Sequence, residues 1–216
     1  MPGGVLAKSP RPRSWWEAMR KVWLLVLLLL AGAYVWRQCT PIRHAPAVPA
    51  PGEPSQVNFT MPQAPIPKDG WTLQPLATFS LQARVLGVAH YNDGPNGKLA
   101  TYDLALGWGP MSDTGVLERL SIRQSHRFYH WTFWGNPPVP EKDIISHSSN
   151  MHIIAADDDV LQKVKSLREG FVIQLSGVLV EATHPMADKP WRSSLVRTDM
   201  GEGSCEIVYV KSLTVQ

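Results

Sequence analysis

A single apolar segment near the N-terminus, residues 22–36, constrains this chain more than any other feature. Its sequence, VWLLVLLLLAGAYVW, carries no charge and lies between Lys21 and Arg37. A helix of this length covers about 22 Å at about 1.5 Å per residue, which is less than a hydrocarbon core of about 30 Å. Flanking cations that reach towards the headgroups, and aromatic side chains at the interface, can make up the difference. The segment therefore predicts a transmembrane anchor over residues 22–37.

The same segment also fits a signal peptide. An apolar region of about 7–15 residues that ends in a small-x-small site is typical of a signal peptide, and Ala31-Gly32-Ala33 has that form. The apolar run continues past this site to Trp36, which favours an uncleaved anchor. Cleavage after Ala33 stays open as the alternative.

The basic residues of the chain are concentrated around this segment. The formal net charge is +3, but residues 1–44 hold seven Lys or Arg and one acid. Residues 45–216 hold fourteen Lys or Arg and seventeen acids, a balance of −3. By the positive-inside rule, residues 1–21 form a cytoplasmic tail of a single-pass inner-membrane protein, and the C-terminal domain is periplasmic. A nucleic-acid-binding domain carries its basic patch on the folded part, so nucleic acid is excluded as a partner.

Residues 38–75 are rich in proline. Nine prolines fall between Pro41 and Pro75. Because proline fixes φ and removes a backbone donor, such a segment favours an extended polyproline II conformation. The sequence predicts an extended linker, or stalk, over residues 38–75, followed by a globular domain over residues 76–216.

Alternation of apolar and polar residues predicts mostly strands in the globular domain. The strand pattern is found over residues 78–90 and 121–134, and over residues 171–182, where one glycine interrupts it as at a barrel corner. The pattern over residues 157–170 predicts the main helix of the domain, with acidic side chains at its positive N-terminal end. We expect an α+β fold that is mostly β: a small antiparallel, OB-like barrel or a strongly bent sheet with one main helix.

Three sequence blocks carry a family resemblance. They are DLALGWGPMSD (103–113), HSSNMHII (147–154) and RSSLVRTDMGEGSCE (192–206). With these blocks, the chain from residue 79 to its end resembles a family of bacterial membrane-anchored hypothetical proteins that combine one N-terminal membrane segment with one small domain. The family has no known activity, so the resemblance implies an architecture and no catalytic role.

The candidate catalytic residues are two histidines, two acids and a serine. An envelope hydrolase would use His147 or His152 as the base, and Asp103 or Asp199 would orient it. Ser193 is a candidate nucleophile, although no G-x-S-x-G elbow surrounds it. The two histidines are five residues apart with no acid between them, whereas a zinc pair on a helix is spaced by four. The sequence therefore predicts neither a metal site nor a cofactor.

Tryptophan and arginine residues suggest a binding recess. The candidate residues are Trp108, Trp131, Trp191, Arg192 and Arg197, with Asn150 as a further contact. Such residues bind a sugar or a peptide by stacking and by charge-assisted hydrogen bonds. The competing explanation is that the tryptophans fill a small core. The main prediction is a membrane-tethered binding or scaffold module of the bacterial envelope, with an envelope protein or a glycan as partner; a hydrolase is the alternative.

Overall fold

The chain divides into two compact units, Met1–Thr40 and Pro41–Gln216, in a computed structural model. The structure describes residues 15–196, 198, 199, 201 and 203–216. The helices are α1 (Trp15–Cys39), α2 (Gly94–Leu99), α3 (Thr114–Leu117), α4 (Glu141–Ser146) and α5 (Asp158–Ser166). The strands are β1 (Ser55–Asn58), β2 (Ile66–Lys68), β3 (Trp71–His90), β4 (Tyr102–Gly107), β5 (Leu120–Ser125), β6 (Phe128–Phe133), β7 (Ser148–Ala155), β8 (Val172–Thr183), β9 (Trp191–Arg192) and β10 (Glu206–Val215).

Helix α1 contains the apolar segment and extends beyond it on both sides. It has 25 residues, so it is about 37 Å long at about 1.5 Å per residue. This exceeds a hydrocarbon thickness of about 30 Å. The helix is long and apolar enough to span a membrane. Residues 1–14 of the predicted cytoplasmic tail lie outside the described residues.

Five strands of the globular unit pair in a closed sequence. β3 pairs antiparallel with β4, and β4 with β7. β7 pairs parallel with β10, which pairs antiparallel with β8, and β8 returns to β3. β3 takes part in both end pairings because it is 20 residues long and bulges between Val85 and Gly87, and a bulge bends a strand. The fold is α+β and mostly sheet, as predicted.

Helix α5 closes one side of the main core. Its buried residues Val160 and Val164 pack with apolar side chains from the five paired strands. The helix begins after Asp157, whose carboxylate accepts a hydrogen bond from the Val160 N–H at 2.9 Å. The predicted main helix and its acidic N-terminal cap are confirmed, although the helix ends at Ser166, four residues before the predicted end.

The aromatic stretch that the sequence predicts as one strand folds as a hairpin. β5 and β6 pair antiparallel around the two-residue turn His126–Arg127 and form a separate two-stranded sheet. The inward side chains Tyr129 and Trp131 pack against a cluster that includes Ala105 of β4. The hairpin therefore covers the outer face of β4.

The proline-rich segment differs from the predicted linker, because it lies against the globular unit. The Ile42 N–H donates to a carbonyl oxygen of the α5–β8 connection at 2.9 Å, and Ala50 is fully buried. Further on, β1 and β2 pair with β3. Prolines stop this segment from pairing with itself but leave an extended chain whose other groups can bond to neighbours. The globular unit thus begins at Pro41 and not at residue 76. Residues 41–54 are named the strap.

The strap backbone passes close to Gly170. This glycine has a φ of +94°, and a Cβ added there would lie 2.0 Å from the Ile42 carbonyl oxygen. Gly135 is a matched control, since its φ is +74° and no atom lies within 4 Å of an added Cβ. We expect Gly135→Ala to lower the free energy of unfolding by about 1 kcal/mol, and Gly170→Ala to lower it by about 1–3 kcal/mol more. Urea unfolding measures both losses, and equal losses would contradict the contact.

Candidate functional site

Two neighbouring strands carry polar side chains on the same face. Asp103 of β4 lies directly opposite His152 of β7, and Ala105 lies opposite Asn150. Because side chains alternate along a strand, these residues face away from the main core, to which Leu104 belongs. The β5–β6 hairpin packs over this face, so the polar groups are enclosed between two sheets.

Asp103 is the centre of this enclosed network. Its side chain is fully buried, and its Oδ1 lies 2.8 Å from Arg127 Nη1 and 2.9 Å from His152 Nδ1. Asn150 Nδ2 lies 3.4 Å from the other carboxylate oxygen. A buried carboxylate is tolerated when it is paired and hydrogen-bonded. Arg127 supplies the compensating charge.

Arg127 reaches Asp103 from a strained turn. His126 and Arg127 have φ values of +51° and +69°, a region that costs non-glycine residues about 1–2 kcal/mol each. The Arg127 guanidinium carbon lies 4.4 Å from the ring centroid of Tyr91 and 5.7 Å from that of Trp191. Strained residues persist where their surroundings fix them. The ion pair and the two aromatic rings do so here.

His152 is close to Asp103 but is not aligned as a catalytic base would be. Its ring packs on Trp191 with centroids 4.8 Å apart, and its side chain is buried. Although Nδ1 is 2.9 Å from the Asp103 carboxylate, the angle is not that of a hydrogen bond. A triad-type base is oriented by an aligned hydrogen bond from its second nitrogen. The geometry favours a structural contact.

Next to the network, a recess lies between the hairpin and the ends of β7 and β10. It has a volume of about 160 Å³. Its aromatic lining comes from β6 and consists of Phe128, Tyr129 and Trp131. Its polar lining comes from β7, β10 and the segment before β10, and includes Ser148, Ser149, Asn150, Asp199, Ser204 and Glu206. This cavity is named the recess below.

Burial keeps two groups at the recess neutral. Burial raises the pKa of the Cys205 thiol to about 12, and the nearby Glu206 carboxylate adds to the effect. Burial also raises the pKa of Tyr129 to about 12, opposed in part by its 2.7 Å hydrogen bond with Ser148. Reactive cysteines have a lowered pKa, so Cys205 is not an activated nucleophile.

The predicted binding residues separate into two groups. Trp131 and Asn150 both line the recess. Trp108 is fully buried and donates from Nε1 to Glu53 of the strap at 2.9 Å. Arg192 is exposed and pairs with a glutamate of β8 at 2.8 Å. Trp108 therefore fills the core, as in the competing explanation, and does not line the recess.

The two candidate histidines lie in different environments. His152 contacts Asp103, as described above. His147 follows α4, and its Nε2 lies 3.0 Å from Glu53 of the strap. Its Nδ1 contacts the Asp143 carbonyl oxygen at 2.8 Å. The structure gives the two rings different partners, so they do not act as one site.

Ser193 and Asp199 belong to the long connection between β8 and β10. Ser193 Oγ accepts a hydrogen bond from the Ile207 N–H at 3.0 Å and donates to the Ser194 carbonyl oxygen at 2.9 Å. The Ser194 hydroxyl in turn donates to Asp199 at 2.6 Å. These bonds hold the connection together. Both described bonds of Ser193 are to backbone groups, and a catalytic serine would instead donate its hydroxyl hydrogen to a base.

Sequence reasoning missed the residues that the hairpin contributes. The cation that lies over the ring of Trp191 is Arg127 and not the predicted Arg192. The other predicted arginine, Arg197, lies outside the described residues. Phe128 and Tyr129 were not singled out either. The signal that would have identified the hairpin is the exchange of apolar faces at His126–Arg127, where a two-residue turn inverts the alternation.

The described residues contain no group of three or more His, Cys, Asp or Glu side chains placed to hold a metal ion. Comparisons with family models, with curated proteins and with solved structures give no match. The family resemblance of the three sequence blocks stays a prediction.

Proposed function

We propose that this chain is a single-pass inner-membrane protein whose periplasmic domain binds an envelope partner at the recess. Helix α1 supplies the anchor, and its length and apolar character support a span. The excess of basic residues before the apolar segment supports an N-terminus in the cytoplasm. The net charge of −3 over residues 45–216 supports a partner other than nucleic acid.

The paired strands support an OB-like barrel as the form of this domain. An OB fold is a partly open five-stranded barrel that binds ligands on its second and third strands and on the flanking loops. In the ring of five paired strands, the second and third in chain order are β4 and β7. The recess lies at the start of β7 and beside the connection that leads into β10. The correspondence is an analogy of fold, and the chemistry of the recess carries the argument.

The observation that carries the proposal is the composition of the recess walls. Aromatic side chains of β6 face buried polar groups, of which Asn150 and Glu206 are 4% and 1% exposed. Ligand sites are typically concave, with apolar walls and a few placed polar groups. Phe128 remains 37% exposed at the same place. The hairpin thus leaves an aromatic surface uncovered beside a buried polar floor.

An envelope hydrolase is the second candidate, favoured by the 2.9 Å contact between Asp103 and His152. The other parts of a catalytic site support it less well, because Ser193 is bonded to backbone groups and burial raises the pKa of Cys205 to about 12. His152→Gln separates the two functions. A binding module keeps its ligand affinity in this variant, whereas a hydrolase loses turnover of envelope glycan by more than any loss of folded protein explains.

Site-specific photo-crosslinking in native membranes tests the binding module. A benzophenone side chain replaces Phe128 at the recess or, as the control, Trp134, which is 98% exposed just beyond β6. We expect a covalent adduct from position 128, and an adduct at least about tenfold weaker from position 134, because only the first position contacts the bound partner. Adducts of equal yield at both positions, or none at position 128, would overturn the proposal.

A further inference from the structure

The hydroxyl and amide hydrogens on the floor of the recess are donated within the protein. Ser148 Oγ donates to a carbonyl oxygen of α4. In its 2.7 Å contact with Ser148, the Tyr129 hydroxyl is therefore the donor. Asn150 donates its amide hydrogens to the Arg127 carbonyl oxygen at 3.0 Å and to the Asp103 carboxylate at 3.4 Å. These side chains have no hydrogen left for a ligand.

The hydroxyl hydrogens of the serines at the rim of the recess are also donated within the protein. Ser149 donates to Glu206, and Ser204 donates to the Gly201 carbonyl oxygen at 2.7 Å. Asp199 is an acceptor and takes a hydrogen bond from the Ser194 hydroxyl. A carboxylate has about four acceptor positions, so Asp199 can accept further hydrogen bonds. The hydroxyl, amide and carboxylate side chains in the described part of the recess thus offer oxygen acceptors to a ligand, which favours a ligand with several hydrogens to donate.

Size and wall shape restrict the ligand further. A volume of about 160 Å³ equals roughly five water molecules at about 30 Å³ each. This is enough room for one six-membered ring or one side chain. Phe128 and Trp131 give flat apolar walls, while Asp199 and Asn150 place acceptors at separate points. A ligand that fits has an apolar face and several donors distributed around its edge.

We propose that the recess binds a neutral sugar ring of an envelope glycan, a proposal that rests on the binding function stated above. The C–H face of the ring lies on the β6 aromatic side chains, and its hydroxyl groups donate to Asp199 and to the oxygen of Asn150. That oxygen accepts from Gln124 Nε2 at 2.8 Å and has a second acceptor position. A primary ammonium group also brings hydrogens, but it places all of them at one end of a linear chain. The separated acceptors of the recess match a ring better than a chain end.

Calorimetric titration of the full-length protein in detergent tests this. The neutral probes are cellotetraose, maltotetraose and chitotetraose, and spermidine is the cationic probe. We expect at least one neutral oligosaccharide to bind. Phe128→Ser should weaken that binding about fivefold to tenfold through the lost aromatic contact. Asp199→Asn should weaken it about threefold to tenfold, because a neutral acceptor is weaker than a charged one. Trp134→Ser, the matched control, should leave it unchanged.

The results distinguish this inference from the binding function itself. Binding of spermidine without binding of any of the three oligosaccharides would overturn the sugar and leave a binding module. The same holds if none of the four probes binds while the photo-crosslink at position 128 persists. Sugar binding that neither Phe128→Ser nor Asp199→Asn weakens would place the sugar elsewhere and overturn the inference. Absence of both probe binding and the crosslink would overturn the binding function as well.

Discussion

Replacing Asp103 with alanine is expected to lower the free energy of unfolding by about 3 kcal/mol, because it leaves the Arg127 guanidinium enclosed without its partner. The ion pair is 2.8 Å long, with Asp103 fully buried and the Arg127 side chain 20% exposed. That partial exposure places the loss at the lower end of the range for buried pairs. The strained turn at His126–Arg127 also loses one of the contacts that hold it. Thermal unfolding of the full-length protein in detergent should show a midpoint lower by about 6–12 °C.

Two further variants separate the ion pair from general damage. Asp93→Ala removes an exposed carboxylate that makes no capping hydrogen bond, and we expect a change within about 0.5 kcal/mol. The double variant Asp103→Leu with Arg127→Met removes both charges, and its loss of free energy of unfolding should be less than the sum of the losses in Asp103→Leu alone and Arg127→Met alone. A loss below about 1 kcal/mol for Asp103→Ala would show that the network does not hold the hairpin to the sheet.

The elements that sequence patterns predict are those stabilised by their own local residues. The apolar run predicts α1, and the alternation over residues 78–90 predicts the second half of β3. Helix α5 carries its own signal in the Asp157 cap and the apolar stripe of Val160 and Val164. For the strand and for α5, the periodicity of one segment determines both the element and the face that it buries.

The hairpin and the strap depend on distant residues, and local patterns do not reveal them. A two-residue hairpin turn normally contains Gly, Asn or Asp, whereas here His126–Arg127 is held by Asp103, more than twenty residues away. The proline-rich composition predicts a segment that cannot fold on itself, and the strap, which holds five of the nine prolines, has no helix or strand of its own. Composition does not reveal that the strap packs on the globular unit. It can do so because Gly170 has no Cβ that would collide with the strap backbone.

The sequence predicted which residues of the candidate site are chemically capable, but not which of them contact one another. Asp103 and His152 were identified as chemically capable residues, and strand register brings them together. Their pairing depends on β4 and β7 being neighbours, which the order of the chain does not require. Trp131 and Asn150 likewise meet at the recess because the hairpin folds over β7. The residue types were readable from sequence, while the partners came from the topology.

A chain that begins at residue 76, the boundary predicted from sequence, is expected not to fold at 25 °C. It lacks β1, β2 and the first five residues of β3, including Trp71 and Leu73, which are 4% and 0% exposed. Burial of these two side chains alone stabilises the fold by about 3–6 kcal/mol, against a total of about 5–15 kcal/mol for a typical domain. The β8 partners of residues 72–75 would also lose their pairing.

Two longer chains make this truncation a graded test. A chain that begins at Pro41 keeps the whole globular unit, and a chain that begins at Ser55 keeps every strand but lacks the strap. The second loses the buried Ala50 and the hydrogen bond from Trp108 Nε1 to Glu53, which together should lower its free energy of unfolding by about 1–3 kcal/mol. Amide dispersion in two-dimensional NMR spectra and urea midpoints give the order of stability: Pro41 first, Ser55 second, residue 76 unfolded. If the chain from residue 76 had the same urea midpoint as the chain from Pro41, the strap, β1 and β2 would not stabilise the globular unit. Residues 41–75 would then behave as the free linker that the prolines predict.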